Sequence, residues 1–224
     1  LFSVIGMLSA LLSREKTGKG QHLDLSLLDV QISLLTYMAT MQTLSGVNPE
    51  PIGNAHFVHV PYNSFTTKDG FVVIAVITDA FWQGLLNIVD VDNLRKEEFK
   101  SSIGRLQNQK FIESELNKKL STETSEHWIN ALNSAKVPCA PINSFSQALS
   151  DEQVIHRNMV VEVEHPDGGK VKMPGNPIKL SYTDEDSFSP PPHLGQHTKE
   201  TLIEWCNYSE SEINELIKKK VIAT

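Results

Sequence analysis

The feature that most constrains the fold is a short segment, residues 18–35 (GKGQHLDLSLLDVQISLL), in which the spacing of apolar side chains changes. Residues 21–25 alternate between polar and apolar side chains, which predicts a short β-strand. Ser26 then precedes an apolar run with helical spacing, and Asp29 follows it in a Ser-x-x-Asp pattern. That pattern before an apolar run is typical of a helix N-terminus. The segment therefore predicts a strand that leads directly into a helix, with Asp29 in the first helical turn.

Two interpretations of Asp29 follow from this position. In the first, Asp29 only completes a capping box with Ser26 at the start of the helix, where negative charge is also favoured. In the second, it is a nucleophile or a proton-transfer group at a strand-to-helix junction, where ligands often bind in α/β proteins. The local pattern alone favours the first interpretation, and only the rest of the sequence can change that balance.

Composition and charge argue against several classes of protein. Acidic residues outnumber basic residues 27 to 20, which argues against a nucleic-acid-binding surface. Residues 1–12 are apolar but too few to span a membrane, and the charges at 14–16 follow them, whereas a signal peptide carries its charge in front. We interpret this stretch as a buried helix. Two cysteines, Cys139 and Cys206, predict a reducing compartment and no disulfide framework.

The rest of the sequence predicts a mixture of helices and short antiparallel strands. The helix that begins at Ser26 should continue to residue 44, and the buried run 71–77 should form a hairpin with residues 64–67. Asp79 is predicted to be the N-cap of the next helix. The remaining predicted elements are helices at 80–89, 110–120, 123–134, 145–149, 151–155, 194–206 and 209–219, helical pieces at 93–107, an extended segment at 137–141, a hairpin at 160–173 with its turn at 166–169, and a polar linker at 182–192 with an acidic run at 184–186.

Several side chains with chemical potential have simpler interpretations. His56 and His59 form a pair without a third ligand nearby in the sequence, and His193 and His197 are more simply capping or surface residues. A metal site needs more ligands than either pair supplies, so we predict no metal site. Cys139 has no general base close in sequence, and a free cysteine is usually a small buried hydrophobe.

Six motifs, in order, resemble those of the class III CoA-transferases, also called the formyl-CoA transferase or CaiB–BaiF family. They are G-K-G-Q-x-x-D-x-S-L-x-D at 18–29, G-N-x-H and P-Y-x-x-F-x-T-x-D-G within 53–70, W and L with V-P-C-A-P within 128–141, D-x-Q-V and V-E-H-P-x-G-G within 151–169, P-x-N-P-I-K-L-S at 174–181 and P-P-H-L-G-Q-H-T at 191–198. No single motif is decisive, but their order over nearly the whole chain is specific. In that family the aspartate that closes the first motif is the catalytic carboxylate. The resemblance, and not the spacing, therefore implies that Asp29 is catalytic.

The resemblance also implies a fold and a division into domains. The expected class is α/β: part of a Rossmann-like large domain plus a small α+β domain, as in the interlocked dimers of this family. Residues 1–62 would belong to the large domain, residues 63–182 to the small domain, and residues 183–224 to a linker and C-terminal helices that return to the large domain. Members of the family are considerably longer, so the chain is expected to correspond to their C-terminal half.

The activity implied by the resemblance is the transfer of CoA between a thioester and a free carboxylic acid through an aspartyl anhydride. The CoA thioester is then a substrate, and no permanently bound cofactor is expected. His56 and Tyr62 in one linker, and Thr78 and Asp79 after a buried strand, are expected to bind substrate or CoA. The expected partners are the acyl-CoA, the acid and a second copy in a homodimer, without nucleic acid or membrane. The expected location is the cytoplasm, or the mitochondrion in a eukaryote.

Two alternatives stay open. A racemase of 2-methylacyl-CoA thioesters has the same fold, and its aspartate acts as an acid–base group with a histidine from the first half. The other alternative is an incomplete, non-catalytic fragment.

Residues 53–62 keep the landmarks of the transferases, although residues 57–60 depart from the usual form G-N-x-H-P-x-x-A-P-Y. The loop at 77–79 lacks the glycines common in the family, which argues against a flexible lid.

Overall fold

The computed structural model describes residues 1–165, 167–183 and 188–222, and the chain forms two units, Leu1–Pro141 and Ile142–Thr224. The mixed α/β class expected from the sequence is confirmed, with eleven helices and five strands among the described residues, besides two short 3₁₀ helices. The division at residues 62 and 182 concerns the whole protein and stays a prediction. Each unit is described by itself.

The first unit begins with three helices, α1 (Phe2–Thr17), α2 (Leu27–Leu34) and α3 (Thr36–Ser45). The expectation of a buried first helix is wrong, because none of the residues in these three helices is buried. Leu12 is 65% exposed and Leu44 is 85% exposed. An apolar helix face is buried only when another element packs on it, and no described element buries a residue of these three helices. Among the described residues, no helix has the length and apolar character needed to cross a membrane.

The strand expected at residues 21–25 is absent from the described structure, where these residues are irregular. Alternation of side chains permits a strand, but a strand also needs a neighbour that pairs with its backbone N–H and C=O groups. Both described sheets are built from residues after position 61, so none of their strands lies beside this segment.

The single helix expected after Ser26 is divided at Thr36. Its backbone has φ 48°, a left-handed value that β-branched residues rarely adopt. On either side the hydrogen bonds tighten to a three-residue spacing, from Leu35 N to Ile32 O at 3.2 Å and from Met38 N to Leu35 O at 3.0 Å. The apolar pattern continues through the break, which is why the sequence did not predict it. Gly46 ends α3 in the left-handed conformation, as predicted from the glycines and prolines that follow.

A three-stranded antiparallel sheet forms the centre of the first unit. Its strands are β1 (Tyr62–Thr66), β2 (Phe71–Ala75) and β3 (Cys139–Pro141), in that order, with Phe65 opposite Val72. The predicted hairpin and the extended segment at residues 137–141 are thus confirmed. The apolar run from Phe71 is not buried throughout: Val72 and Ile74 are fully buried, whereas Phe71 is 51% exposed. One face of the sheet therefore carries the core.

Helices cover the buried face of this sheet. They are α4 (Asp79–Val89), α5 (Ser102–Gln107), α6 (Gln109–Leu120) and α7 (Ser125–Ser134), with 3₁₀ helices at Asp92–Leu94 and Glu97–Lys100. Trp82, Leu116 and Leu132 lie in the shared core with the strands. Trp128 is buried as predicted, and its indole N–H donates to Leu120 O at 2.7 Å.

The turn between β1 and β2 is fastened to the start of α7. The Asp69 carboxylate accepts hydrogen bonds from Ser125 N at 2.8 Å, from Ser125 Oγ at 3.0 Å and from Thr67 Oγ1 at 3.3 Å. Ser125 N is one of the N–H groups that a helix leaves without an internal partner. The Thr-x-Asp-Gly part of the second family motif therefore has a structural role in this unit.

The replacement Asp69→Ala is expected to lower Tm by a few degrees at neutral pH. The hydrogen bonds from the Ser125 backbone and side chain hold the pKa of Asp69 below its usual value. A depressed carboxyl pKa stabilises the folded state above the unfolded-state pKa, and that stabilisation is lost as pH falls through the folded-state pKa. The Tm difference from wild type should therefore shrink below about pH 4. Thermal unfolding of wild type and Asp69→Ala between neutral and acidic pH measures this Tm difference. Asp92→Ala, which removes an exposed carboxylate, is the control. A Tm difference that does not change with pH would contradict a depressed pKa at Asp69.

The second unit contains four helices and a hairpin in its described residues. These are α8 (Phe145–Ser150), α9 (Glu152–His156), β4 (Val160–Glu164), β5 (Lys170–Pro174), α10 (Thr198–Cys206) and α11 (Glu210–Lys218). The predicted hairpin is confirmed, with Val161 opposite Met173. The capping box predicted between Ser209 and Glu212 is also formed. Pro166 of the predicted turn and the acidic run at 184–186 lie outside the described residues.

Candidate active site

Asp29 lies in the first turn of α2, as the Ser-x-x-Asp pattern predicts. Ser26 has the extended backbone of an N-cap, with φ −95° and ψ 138°. Its Oγ accepts hydrogen bonds from Leu28 N at 3.1 Å and from Asp29 N at 3.3 Å. A single serine thus satisfies two of the N–H groups that the helix leaves unpaired.

The Asp29 side chain itself is exposed. Within the described part of the chain it accepts no hydrogen bond and forms no ion pair. In a complete capping box the third residue would bond back to the N-cap N–H, and this reciprocal bond is not among those that cap α2. The helix is therefore capped without the Asp29 carboxylate, which leaves both of its oxygens available to a ligand.

A second group of candidate residues surrounds His56. Its backbone N donates to Tyr62 O at 3.0 Å, which closes a loop between the two residues. The imidazole Nδ1 accepts hydrogen bonds from Val58 N at 3.0 Å and from His59 N at 3.1 Å. The His56 side chain thereby folds the loop around itself, and the structure brings His56 and Tyr62 together as candidates.

The aromatic side chains of this loop form a cluster with Tyr37 of α3. The His56 ring stacks on Phe57 with centroids 4.8 Å apart and on Tyr62 with centroids 5.2 Å apart. The His59 ring lies 4.7 Å from that of His56, and Tyr37 of α3 lies 5.6 Å from Phe57. Burial lowers the pKa of His56, and the neighbouring His59 lowers it further. Asp29 lies outside this cluster, since none of the described contacts joins it to these rings.

Thr78 has the capping role that the sequence predicted for Asp79. Thr78 is the N-cap of α4, and its Oγ1 accepts from Phe81 N at 3.3 Å, so the prediction of Asp79 as N-cap is wrong. Both residue types cap helices well, but the extended backbone of an N-cap occurs at Thr78, with φ −132° and ψ 160°. Asp79 is instead the first helical residue, and its carboxylate accepts from Arg105 Nη2 at 2.8 Å.

Arg105 is the residue of this region that sequence analysis missed. It is only 2% exposed. Besides the bond to Asp79, its Nε donates to Val60 O at 3.1 Å, and its Nη1 donates to the Phe99 and Lys100 carbonyl oxygens, each at 3.1 Å. Its guanidinium also lies 5.5 Å from the centroid of a Trp82 ring. Because Val60 belongs to the loop of His56, Arg105 links that loop to the start of α4.

One sequence signal could have indicated Arg105. It follows Gly104 inside a charged stretch that otherwise looks solvated. A Cβ at position 104 would overlap the carbonyl of Glu98, so a glycine is required where α5 approaches the preceding 3₁₀ helix. A glycine within a helical pattern often marks such a close approach between two elements. An arginine that follows this glycine, as Arg105 follows Gly104, is then expected to lie beside the core.

The remaining candidates are not arranged for catalysis. Cys139 is half-buried, and its burial raises the pKa of the thiol. A raised pKa lowers the fraction of reactive thiolate, which agrees with the interpretation of Cys139 as a packing residue. No group of three or more His, Cys, Asp or Glu side chains among the described residues is placed to hold a metal ion.

Known proteins resemble the chain in sequence over almost its full length. It is 32% identical to the succinyl-CoA:glutarate CoA-transferase of Mus musculus over 99% of this chain and 51% of that protein. It is 31% identical to the acetyl-CoA:oxalate CoA-transferase of Acetobacter aceti over 85% of this chain and 48% of that protein. The chain thus spans about half the length of the curated relatives it matches.

Solved structures resemble the fold. A CAIB/BAIF family protein from Brucella suis is similar with a TM-score of 0.77 and 29% identity, over 91% of this chain and 53% of that one. Protein Rv3272 of Mycobacterium tuberculosis has the same fold, with a TM-score of 0.70 and 20% identity over 86% of this chain and 51% of that one. The sequence model described as CoA-transferase family III matches residues 1–198. With most of its 224 residues matched, the chain belongs to CoA-transferase family III.

Proposed function

We propose that the whole protein is an acyl-CoA:carboxylate CoA-transferase that uses Asp29 as its nucleophile. The observation that carries the proposal is the exposed Asp29 carboxylate, which lies in the first turn of a helix that Ser26 already caps. Membership of the family and relatives named as CoA-transferases support it. The ionised carboxylate is the form that attacks a thioester.

The proposed reaction exchanges one thioester for another. Asp29 attacks the carbonyl carbon of the donor thioester, which gives a mixed anhydride and CoA thiolate. The thiolate attacks the aspartyl carbonyl, so the donor acid leaves and Asp29 carries CoA as a thioester. The acceptor carboxylate then attacks this thioester and releases the thiolate, which attacks the acceptor acyl carbon of the new anhydride. The product thioester leaves and Asp29 is restored without ATP, because one thioester bond is broken and one is formed.

The proposed substrates are a CoA thioester and a small dicarboxylic acid. Relatives are named for glutarate, oxalate and mesaconate, all of them dicarboxylic acids. We place His56 and Tyr62 at the substrate site, bordered by the loop that carries Thr78 and Asp79. The Thr78 and Asp79 side chains already cap α4 and bind Arg105. They would therefore shape the site rather than bind substrate directly. No permanently bound cofactor is part of this proposal.

The proposed partner is a second copy of the whole protein in a homodimer, and the proposed location is the cytoplasm. The exposed apolar faces of α1–α3 support the proposal that another surface covers them in the whole protein, since patches of this kind usually mark interfaces.

Produced alone, the 224-residue chain is expected to self-associate through these faces and to bind CoA weakly. Sedimentation velocity and CoA titration measure both properties. A monodisperse monomer with micromolar affinity for CoA would contradict this expectation.

One experiment separates the transferase from the racemase alternative. The whole protein is given succinyl-CoA with a panel of dicarboxylic acids, and in parallel 2-methylacyl-CoA in heavy water. We expect a new thioester that depends on both Asp29 and the acceptor acid, without deuterium at carbon 2. Deuterium exchange without a new thioester would show that Asp29 transfers protons. Activity in neither assay would favour the non-catalytic alternative.

A further inference from the structure

We infer that His56 is a neutral hydrogen-bond donor whose Nε2–H binds a carbonyl or carboxylate oxygen of the acyl group being transferred. The inference rests on the proposed function and adds the atom, its protonation state and its ligand. It is carried by the hydrogen bonds and the ring contacts that fix the His56 imidazole.

The hydrogen bonds of the loop determine which ring nitrogen carries the proton. Nδ1 accepts from Val58 N at 3.0 Å and from His59 N at 3.1 Å. A nitrogen that accepts hydrogen bonds must present its lone pair, and a neutral imidazole has one accepting and one donating nitrogen. The proton of neutral His56 is therefore on Nε2. The hydrogen bonds to Nδ1 fix this tautomer, as the contacts of one ring nitrogen do in many functional histidines.

The same arrangement keeps the imidazole neutral. A second proton, on Nδ1, would point at two backbone N–H donors and remove the hydrogen bonds that Nδ1 accepts from Val58 N and His59 N. Partial burial and the neighbouring His59 act in the same direction, since they lower the pKa of His56. His56 therefore offers one uncharged donor near neutral pH.

The aromatic neighbours hold the ring in one plane. Phe57 stacks on it at an interplanar angle of 12°, and Tyr62 stacks at 20°. The backbone bond from His56 N to Tyr62 O, at 3.0 Å, anchors the Cα end of the side chain. A ring fixed by stacking and by Nδ1 has a fixed Nε2–H direction. A donor of this kind needs no reorganisation when it binds an oxygen in the reaction.

Nε2 lacks a partner within the described residues, and the side chain is half-buried rather than covered. An uncharged N–H among aromatic rings suits an oxygen of a carboxyl-derived group, because it gains a hydrogen bond without introducing a buried charge. Donor thioester and acceptor acid both present such an oxygen. The separate KM values for the two substrates show which of them His56 contacts.

Two replacements separate the loop role of His56 from its donor role. In His56→Asn the amide oxygen takes the position of Nδ1 and can accept from Val58 N and His59 N, but nothing replaces Nε2–H. In His56→Gln the longer side chain places an amide N–H near the position of Nε2, whereas the loop loses its acceptor. His127→Asn, at an exposed histidine outside this loop, is the control.

In the whole enzyme we expect His56→Asn, which keeps the loop acceptor but loses the ring contacts, to have a higher Tm than His56→Gln and to lose about 100-fold in kcat/KM, the cost of removing one oriented donor. His56→Gln should have a lower Tm and remain within about 10-fold of wild-type kcat/KM, since it keeps the donor. His127→Asn should stay close to wild type in kcat/KM. The opposite order, with the Asn variant active and the Gln variant inactive, would show that His56 only builds the loop and would overturn the inference.

Nitrogen-15 NMR of the histidine rings tests the inference without an activity assay. The wild-type enzyme should show His56 as the Nε2–H tautomer at neutral pH, and its Nε2 resonance should shift when acyl-CoA or acid is added. An Nδ1–H tautomer or an unshifted resonance would overturn the inference. If the wild-type enzyme transfers no CoA but the resonance shifts, the proposed function fails while the binding role of His56 stands.

Discussion

The replacement Asp29→Asn in the whole enzyme is expected to reduce kcat for CoA transfer by at least about a thousandfold, the scale of loss when a covalent nucleophile is removed. An amide cannot form the aspartyl anhydride, so no covalent route remains. The fold should be unaffected, because Ser26 caps α2 and the Asp29 carboxylate makes no hydrogen bond among the described residues. Tm of the variant should therefore match that of wild type.

Trapping of the intermediate locates the nucleophile directly. After incubation of wild type with an acyl-CoA and then hydroxylamine or borohydride, peptide mass spectrometry should find the modification at Asp29. Asp24→Asn removes another exposed carboxylate of the same segment and is the matched control, which should still be labelled at Asp29. Full transferase activity in Asp29→Asn would exclude Asp29 as the nucleophile.

The replacement Arg105→Ala is expected to lower the free energy of unfolding by at least about 3 kcal/mol. It leaves the carbonyl oxygens of Val60, Phe99 and Lys100 without their donor and opens a cavity beside Trp82. Each unsatisfied buried acceptor costs about 1–3 kcal/mol. Arg105→Lys should be intermediate, since an ammonium group cannot reproduce the planar fork of donors.

Chemical denaturation of both variants, beside Arg95→Ala, measures this effect. Arg95 donates to Leu86 O at 2.8 Å and pairs with Asp90 at 3.2 Å, but its side chain is 40% exposed. Exposed pairs of this kind contribute about 1 kcal/mol or less. Equal losses for Arg95→Ala and Arg105→Ala would contradict the structural role assigned to the buried guanidinium.

Local patterns in the sequence predicted local structure. Ser26, Ser209 and Gly46 determine helix ends through groups within a few residues of themselves, so their roles follow from spacing. The hairpin around Asp69 is likewise a turn between two adjacent apolar runs. The tether from Asp69 to Ser125 was not predictable, because it joins residues 56 positions apart.

The wrong predictions concern features that depend on contacts between residues far apart in the sequence. Residues 21–25 have the alternation of a strand, but pairing depends on a neighbour that no local pattern specifies. The break at Thr36 carries no glycine or proline, and burial of α1 depends on what packs against it. Arg105 looked like a solvated residue because its partners Val60 and Asp79 are 45 and 26 positions away.

For the candidate site too, local spacing predicted the position of a residue but not its chemical role. Spacing placed Asp29 at the start of a helix, but only the resemblance to a family gave the carboxylate a chemical role. His56 was named from the same resemblance, and its tautomer required the positions of Val58 N and His59 N. The sequence therefore identified which residues to consider, and the backbone around them was needed to state what each can do.

The way in which Arg105 holds the loop of His56 has a consequence for evolution. It binds the Val60 carbonyl, a main-chain group that every amino acid supplies. Residues 57–59 can therefore mutate without loss of this anchor, and Phe57 already stands where the usual G-N-x-H-P-x-x-A-P-Y form has a proline. Substitutions there can accumulate and change the side chains beside His56 while Arg105 still binds the backbone of the loop at Val60.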